Sequence, residues 1–168
     1  MYYIENQSTG LNPHDELGYE ESAQIIINHV HKGIEIAKKN GVPDKIIDFI
    51  RTHHGTTKTA YFFKMFMNEN PDQVEEDVVS LFTYPGPIPF SKESAALMMA
   101  DSVEAASRSL KEPDVDSIEK LVESIISNQI KDGQFENADI TLRDIRLIKK
   151  MFKKMLMNIY HVRIEYPH

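Results

Sequence analysis

Four side chains in this sequence have the types and spacing of a metal site. Two adjacent histidines, His53 and His54, close a predicted helix, a third, His29, stands one helix earlier, and Asp101 interrupts a later apolar helix. Imidazole and carboxylate are ligands that hold Zn, Mn, Fe or Ni in proteins. If three helices brought these groups together, an ion would be needed to hold their dipoles and charge. We therefore predict a metal site built from nitrogen and oxygen ligands.

Each histidine also has a structural interpretation. Neighbouring helix residues are about 100° apart, so His53 and His54 cannot both point straight at one ion, although both can line a site at the helix end. A histidine near the last carbonyls of a helix is also a favourable cap. The presence of His29 and Asp101 favours the metal. On the first helix, His29 and His31 flank the apolar stripe on opposite sides, and periodicity does not choose between them.

Asp101 follows the run from Ala95 to Ala100, which is apolar on every side and predicts a buried helix. A carboxylate in such a place must be paired, hydrogen-bonded or metal-bound, because burying it alone is too costly. Arg108 is better spaced for Glu104, four residues before it, than for Asp101. We interpret Asp101 as a metal ligand, with a hydrogen bond inside the helix as the alternative.

Two loops beside these residues have features that suit a phosphate. Gly55-Thr56-Thr57-Lys58 places hydroxyl groups and one cation next to the histidine doublet, and Tyr84-Pro85-Gly86-Pro87 could form the rim of a pocket. Ordinary loops have the same composition. The His14-Asp15 pair follows Asn12-Pro13, where aspartate often bonds its own backbone, so we interpret that pair as a turn.

Composition restricts the possible classes of function. The 168 residues, 41% of them hydrophobic, fit one globular domain spanning 1–168. A net charge of −7 disfavours binding to a nucleic acid polymer but leaves room for a small anionic ligand. The absence of cysteine excludes disulfides, thiolate zinc sites and cysteine nucleophiles. No apolar run is long enough to cross a bilayer, and we expect a soluble, cytoplasmic chain.

Apolar residues at helical spacing predict an all-α architecture that positions these side chains, and we find no alternating strand pattern. A polar, turn-rich segment at 1–19 comes first, a polar loop follows the third helix, and three prolines predict an extended segment over 84–89. Ser91 and the Thr141–Asp144 pair have the character of helix caps. The predicted helices are 20–39, 43–55, 61–67, 91–110, one around 118–133 and a last one opening at Thr141.

Many short motifs, in one order along the whole chain, resemble the cytosolic HD domain of the seven-transmembrane HD phosphodiesterases, which hydrolyse cyclic di-AMP. The motifs are Ile4-Glu5-Asn6-Gln7, Asn12-Pro13-His14-Asp15, His29-Val30, His53-His54-Gly55-Thr56, Tyr84-Pro85-Gly86-Pro87, Lys92-Glu93, Ala100-Asp101-Ser102-Val103-Glu104-Ala105, Arg108-Ser109, Asp132-Gly133-Gln134, Thr141-Leu142-x-Asp144-Ile145 and His161-x-Arg163-Ile164-Glu165-Tyr166-Pro167.

The resemblance implies an HD-domain helical bundle with a two-metal centre, usually of iron or manganese. It implies that His29, His53 and His54 ligate one metal and that Asp101 ligates the other. The implied reaction is two-metal hydrolysis of cyclic di-AMP to a linear dinucleotide. Lys58, Tyr84 and Arg108 are candidate substrate contacts, the two cations on charge type alone.

The His-Asp signature of that family lies upstream of the Ile4-Glu5-Asn6-Gln7 segment, so we expect an N-terminally truncated HD domain. Such a chain should hold at most one metal ion and should hydrolyse its substrate poorly. One alternative is a non-catalytic module that binds a metal, a nucleotide or a partner protein. A second alternative is an HD phosphohydrolase that acts on another nucleotide.

Overall fold

A computed structural model describes residues 14, 17–72 and 75–161, and within them it contains α-helices joined by loops, with no strand beyond one isolated bridge. The all-α prediction is therefore confirmed for this part of the chain. Several predictions fall on residues outside this description. They concern most of the turn-rich segment at 1–19, the motif residues 4–7 and 163–167, and Asp15. The helices are α1 (Tyr19–Lys39), α2 (Asp44–Thr52), α3 (Ala60–Glu69), α4 (Glu76–Leu81), α5 (Lys92–Ser107), α6 (Val115–Lys131) and α7 (Leu142–Ile159).

The structure differs from the predicted helices at two C-terminal ends and in one additional helix. The helix α5 ends at Ser107 rather than at Leu110. The helix α2 ends at Thr52 rather than at Gly55, because the chain turns at His53 and reaches the left-handed region at Gly55, with φ of 52°. The predicted polar loop after α3 is wrong over residues 76–81, where α4 forms. That helix has only six residues, too few for periodicity to reveal.

The predicted caps form at the starts of α5 and α7. The Ser91 hydroxyl accepts a hydrogen bond from the Ser94 N–H at 3.1 Å, and the Thr141 hydroxyl accepts one from the Asp144 N–H at 3.1 Å. The side chains of Ser94 and Asp144 accept in return from the N–H groups of Ser91 and Thr141. These reciprocal bonds satisfy N–H groups that the first turn of a helix leaves without partners.

The chain divides into two compact units, of which the first spans Met1–Pro87. In this unit α1 packs against α2, α3 and α4. The predicted extended segment over 84–89 begins near the end of this unit, and its residues are not helical. Apolar residues of α1 and aromatic residues of α3 and of the segment after α4 form the core: Ala23, Ile26, Ile27, Val30, Phe62, Phe66, Phe82 and Tyr84.

A glycine sets the close approach of α1 and α2. A Cβ atom added at Gly33 would lie only 3.1 Å from the Cγ2 atom of Ile50, tighter than most such contacts. Gly33 is one turn beyond His29 on α1, and Ile50 is one turn before His53 on the chain. The same approach therefore brings the predicted ligands of the two helices near each other.

The second unit spans Ile88–His168 and contains α5, α6 and α7, each packed against the other two. Its buried core residues are Ala95, Met98, Met99, Val103, Ile118, Val122, Ile126, Phe135, Ile145, Ile148 and Leu156. Among the described residues, no helix is both long and apolar enough to span a bilayer.

Candidate metal centre

Three of the predicted ligands meet in the first unit. One ring nitrogen from each of His29, His53 and His54 can be chosen so that all three lie within 4.8 Å of one another. The ring centroids of His53 and His54 are 4.0 Å apart, and those of His29 and His54 are 5.0 Å apart. All three side chains are half-buried, whereas His31 is exposed on α1. Packing thus separates the two histidines of α1 that periodicity left equivalent.

Backbone carbonyls determine which nitrogen of two rings carries the hydrogen. The Nδ1 atom of His29 lies 2.6 Å from the carbonyl oxygen of Ile26, and Nδ1 of His53 lies 2.7 Å from that of Ile50. A carbonyl can only accept, so each Nδ1 must donate. In the neutral ring the Nε2 atom then carries the lone pair. Metal-binding histidines are commonly held in this way, with the second ring nitrogen bonded to a carbonyl or carboxylate.

The two Nε2 atoms point at each other. The Nε2 atoms of His29 and His53 are 3.1 Å apart. Two lone pairs at this distance repel unless a proton or a cation lies between them. Two nitrogens bound at about 2.1 Å to one ion lie roughly 3.0 Å apart at a right angle and roughly 3.4 Å apart at a tetrahedral angle. The observed separation lies between these values, so the pair fits two positions on one transition metal.

His54 is held in its neutral form. Burial, and then the proximity of His53 and His29, lowers the pKa of His54 from 6.5 to about 2. A metal binds the neutral imidazole, so this environment keeps His54 ready as a ligand at any pH near neutrality. The donor set, three imidazoles in one place, suits a divalent transition metal better than Mg or Ca, which prefer oxygen.

Tyr84 forms one wall of the site. Its ring is buried and stacks on His54, with centroids 4.2 Å apart and planes 21° apart, and it meets His29 edge to face at 6.1 Å. Main-chain bonds hold Tyr84 in place: its N–H donates to the Thr57 carbonyl at 2.8 Å, and the Thr59 N–H donates to the Phe82 carbonyl at 2.8 Å. The sequence suggested Tyr84 as part of a pocket rim, but its contact with His54 depends on tertiary packing and was not foreseen.

Lys58 lies in the loop that follows the histidine doublet. Its backbone forms the isolated antiparallel bridge with Thr83, next to Tyr84. The side chain is exposed, and its Nζ atom lies 5.4 Å from the centroid of the Phe63 ring. The ammonium group is therefore accessible to an anionic ligand.

The remaining predicted site residues are placed as follows. Asp101 is half-buried on α5, in the second unit, and its role as a ligand stays a prediction. Arg108 is exposed at the end of α5, where its Nε and Nη2 atoms donate to the Glu104 carboxylate at 3.0 and 2.8 Å, as its spacing predicted. His14 is buried, with its ring 5.3 Å from that of Phe62.

Relatives of known identity cover nearly the whole chain. No protein-family model matches it. The chain is 44% identical over 166 residues to the cyclic-di-AMP phosphodiesterase PgpH of Listeria monocytogenes and 43% identical over 167 residues to PgpH of Bacillus subtilis. Each alignment covers 99% of this chain and 23% of the relative. The chain thus spans about a quarter of the length of these curated relatives.

Solved structures define the matching part. The HD domain of L. monocytogenes PgpH, in a crystal structure with cyclic-di-AMP, superposes with a TM-score of 0.83 at 43% identity. The match covers 92% of this chain and 71% of that chain. This chain belongs to the PgpH HD-domain family. A second structure of the same PgpH HD domain gives a TM-score of 0.84 at 41% identity and covers 73% of that chain. The resemblance predicted from the motifs is thereby confirmed, as is the HD-domain helical fold.

The sequence analysis does not predict the role of Gly33 in this PgpH-type domain, which is to permit the close approach of α1 and α2. A signal for it was present, because a glycine inside an otherwise regular helix, one turn from a candidate ligand, often marks a close contact.

Proposed function

We propose that this chain is a metal-dependent phosphodiesterase domain that hydrolyses cyclic di-AMP to a linear dinucleotide. The observation that carries the proposal is the facing pair of Nε2 atoms of His29 and His53, 3.1 Å apart, with His54 beside them. The identity to PgpH HD domains, one of them crystallised with cyclic-di-AMP, supports the choice of substrate. The cytoplasmic location expected from the sequence is part of the same proposal.

The three histidines would hold one divalent transition metal, manganese or iron. When bound, such an ion supplies Lewis-acid chemistry, since it polarises a phosphoryl oxygen and lowers the pKa of water toward 7. In the hydrolysis, a water oxygen forms a new bond to phosphorus as one phosphodiester P–O bond breaks, and the departing ribose oxygen takes up a proton. Asp101 is proposed to ligate the second metal of the family site.

The other side chains would bind and orient. Tyr84 packs on His54 and restricts the rotation of its ring. Lys58, exposed beside the doublet, would offset phosphate charge. Arg108 would do the same only if its guanidinium exchanged the Glu104 carboxylate for phosphate. These three roles are parts of the proposal and rest on chemical type and position.

We propose that the 168-residue chain binds a single ion and turns over slowly. Within residues 14, 17–72 and 75–161, the only group of three or more side chains that could hold a metal is His29, His53 and His54. Two-metal catalysis of phosphoryl transfer needs a second, bridged ion. The same observation favours a second candidate function, a domain that binds metal and nucleotide without efficient hydrolysis.

Metal content and product analysis test both functions on the same protein. We expect about one manganese ion per chain, bound by the wild-type protein and by H31Q, whose histidine is exposed, but not by H53Q. Chromatography would then follow conversion of cyclic di-AMP, with other cyclic and linear nucleotides in parallel. Slow formation of linear dinucleotide, lost in H53Q, supports the enzyme. Metal and nucleotide binding without product supports the binding module.

Other outcomes contradict the proposal. If H53Q retained the metal as firmly as the wild-type chain does, the three histidines would not form the site. Two ions per chain and rapid turnover would show that further ligands complete the centre. Faster hydrolysis of a different nucleotide would keep the enzyme and change its substrate.

A further inference from the structure

The outer face of α7 carries two parallel rows of side chains, one basic and one apolar. Members of each row are four residues apart, so each row follows the helix while drifting around it by about 40° at each step. Each basic residue directly precedes an apolar one, which places the rows side by side. The basic row is Arg146, Lys150 and Lys154, and the apolar row is Leu147, Met151, Met155 and Ile159.

Core packing does not account for either row. The helix contacts the core of its unit through Ile145, Ile148 and Leu156, which are buried, whereas the members of both rows are exposed. The members of the apolar row are 57%, 53%, 51% and 61% exposed, in chain order. Side chains exposed to this degree stand out from the surface, so the apolar row forms a convex ridge rather than the floor of a groove.

The basic row is also unused within its unit. Two other lysines of α7, Lys149 and Lys153, turn toward α6 and pair with Glu123 at 2.8 and 2.9 Å. The basic row differs: among residues 14, 17–72 and 75–161, Arg146, Lys150 and Lys154 have no ion-pair partner. Three cations thus line an apolar ridge and remain available to an external anion.

Charge is strongly segregated onto this helix. The 18 residues of α7 contain six of the 19 basic residues of the chain but one of its 26 acidic residues. The helix therefore has a net charge of +5, while the whole chain has −7. An anionic surface would attract the face of α7 and repel the acidic remainder, which fixes one orientation of the domain on that surface.

Three kinds of partner fit these features unequally. A second copy docked antiparallel on the apolar row would bring two helices of charge +5 together, with their basic rows facing. An acidic partner protein would need a groove shaped to this ridge. A bilayer deforms around a convex apolar ridge and offers negative headgroups beside it, and basic residues flanking apolar ones are typical of helices that lie in that interface.

We propose that the outer face of α7 docks on an anionic lipid surface. The apolar row enters the boundary between headgroups and acyl chains, and the basic row contacts the headgroup phosphates. The proposal does not depend on the proposed phosphodiesterase function, since none of its residues belongs to the histidine cluster.

Vesicle sedimentation with the full 168-residue chain tests this docking. We expect the chain to sediment with vesicles of equal parts phosphatidylglycerol and phosphatidylcholine, but not with phosphatidylcholine alone, and to dissociate at high salt. Each basic residue near an anionic surface strengthens binding by about fivefold. The R146Q/K150Q/K154Q variant should therefore lower the partition coefficient by about a hundredfold.

Two further variants distinguish lipid docking through α7 from two alternatives. One is nonspecific attraction of any surface lysine to the anionic vesicles, and the other is self-association of the chain. L147Q/M151Q/M155Q should weaken vesicle binding while the circular dichroism spectrum stays unchanged, because these side chains are exposed. K38Q/K39Q/K131Q removes three exposed lysines from α1 and α6 and should bind vesicles as the wild type does. Equal losses in R146Q/K150Q/K154Q and K38Q/K39Q/K131Q, or no binding to anionic vesicles, would overturn the proposal. A dimer in sedimentation velocity that L147Q/M151Q/M155Q dissociates, without vesicle binding, would assign the face to a second copy instead.

Discussion

The neutral state of His54 should make the metal-free domain sensitive to acid. The pKa of His54 is lowered from 6.5 to about 2 in the folded chain, first by burial. Between these two values the unfolded chain binds one more proton than the folded chain does, so stability is full above pH 6.5 and declines as the pH falls. Replacing His54 with phenylalanine removes this proton while keeping an aromatic ring against Tyr84.

The two pKa values set the size of the effect. Lowering the pH from 6.5 to about 4.5 should cost the wild-type chain about 2 kcal/mol at this one residue. Other titrating groups contribute equally to the wild type and to H54F. The difference between the two proteins in how the unfolding free energy changes with pH therefore gives the contribution of His54. The H54F variant should therefore lose about 2 kcal/mol less unfolding free energy than the wild type over the same pH range.

Urea unfolding followed by circular dichroism, with a chelator present, measures this change in unfolding free energy with pH. H31F provides the matched control, because His31 lies on the same helix as His29 but is exposed. We expect H31F to follow the wild-type curve. If the wild-type and H54F curves ran parallel from pH 6.5 to about 4.5, His54 would not be held neutral by its surroundings and the reasoning would fail.

Two further predictions concern the walls of the site and its support. The ring centroids of Tyr84 and His54 are 4.2 Å apart, and replacing Tyr84 with leucine removes this stack. We expect Y84L to bind manganese about tenfold more weakly in calorimetric titration, and Y84F to bind it as the wild type does. Equal affinities of Y84L and Y84F would show that the stack does not orient His54. Phe82 is fully buried between the rings of Phe63 and Phe66, so F82A should lower the unfolding free energy by about 3–5 kcal/mol in urea unfolding. Y61A, at a 44% exposed position, serves as its control, and a comparable loss there would contradict the packing argument.

Local signals along the chain determined most of the helical framework. Apolar spacing of about 3 to 4 residues predicted six of the helices, and the capping residues Ser91 and Thr141 marked two of the helix starts. Both signals act between near neighbours, so they are present in the sequence whatever the tertiary fold. The short helix α4 was not predicted, because six residues make too few turns for a helical period to appear in the sequence.

The sequence also indicated the types of the site residues, and the order of the motifs identified the family. The sequence did not indicate how the site residues are arranged in space. Whether His29 or His31 turns inward depends on which flank of α1 packs against α2, a contact that Gly33 permits between residues distant in sequence.

The tertiary structure alone placed two Nε2 atoms 3.1 Å apart and stacked Tyr84 on His54. A sequence pattern specifies which face of a helix is apolar, but the distance between atoms on two helices depends on how closely those helices pack. That distance decides whether three histidines can share one ion.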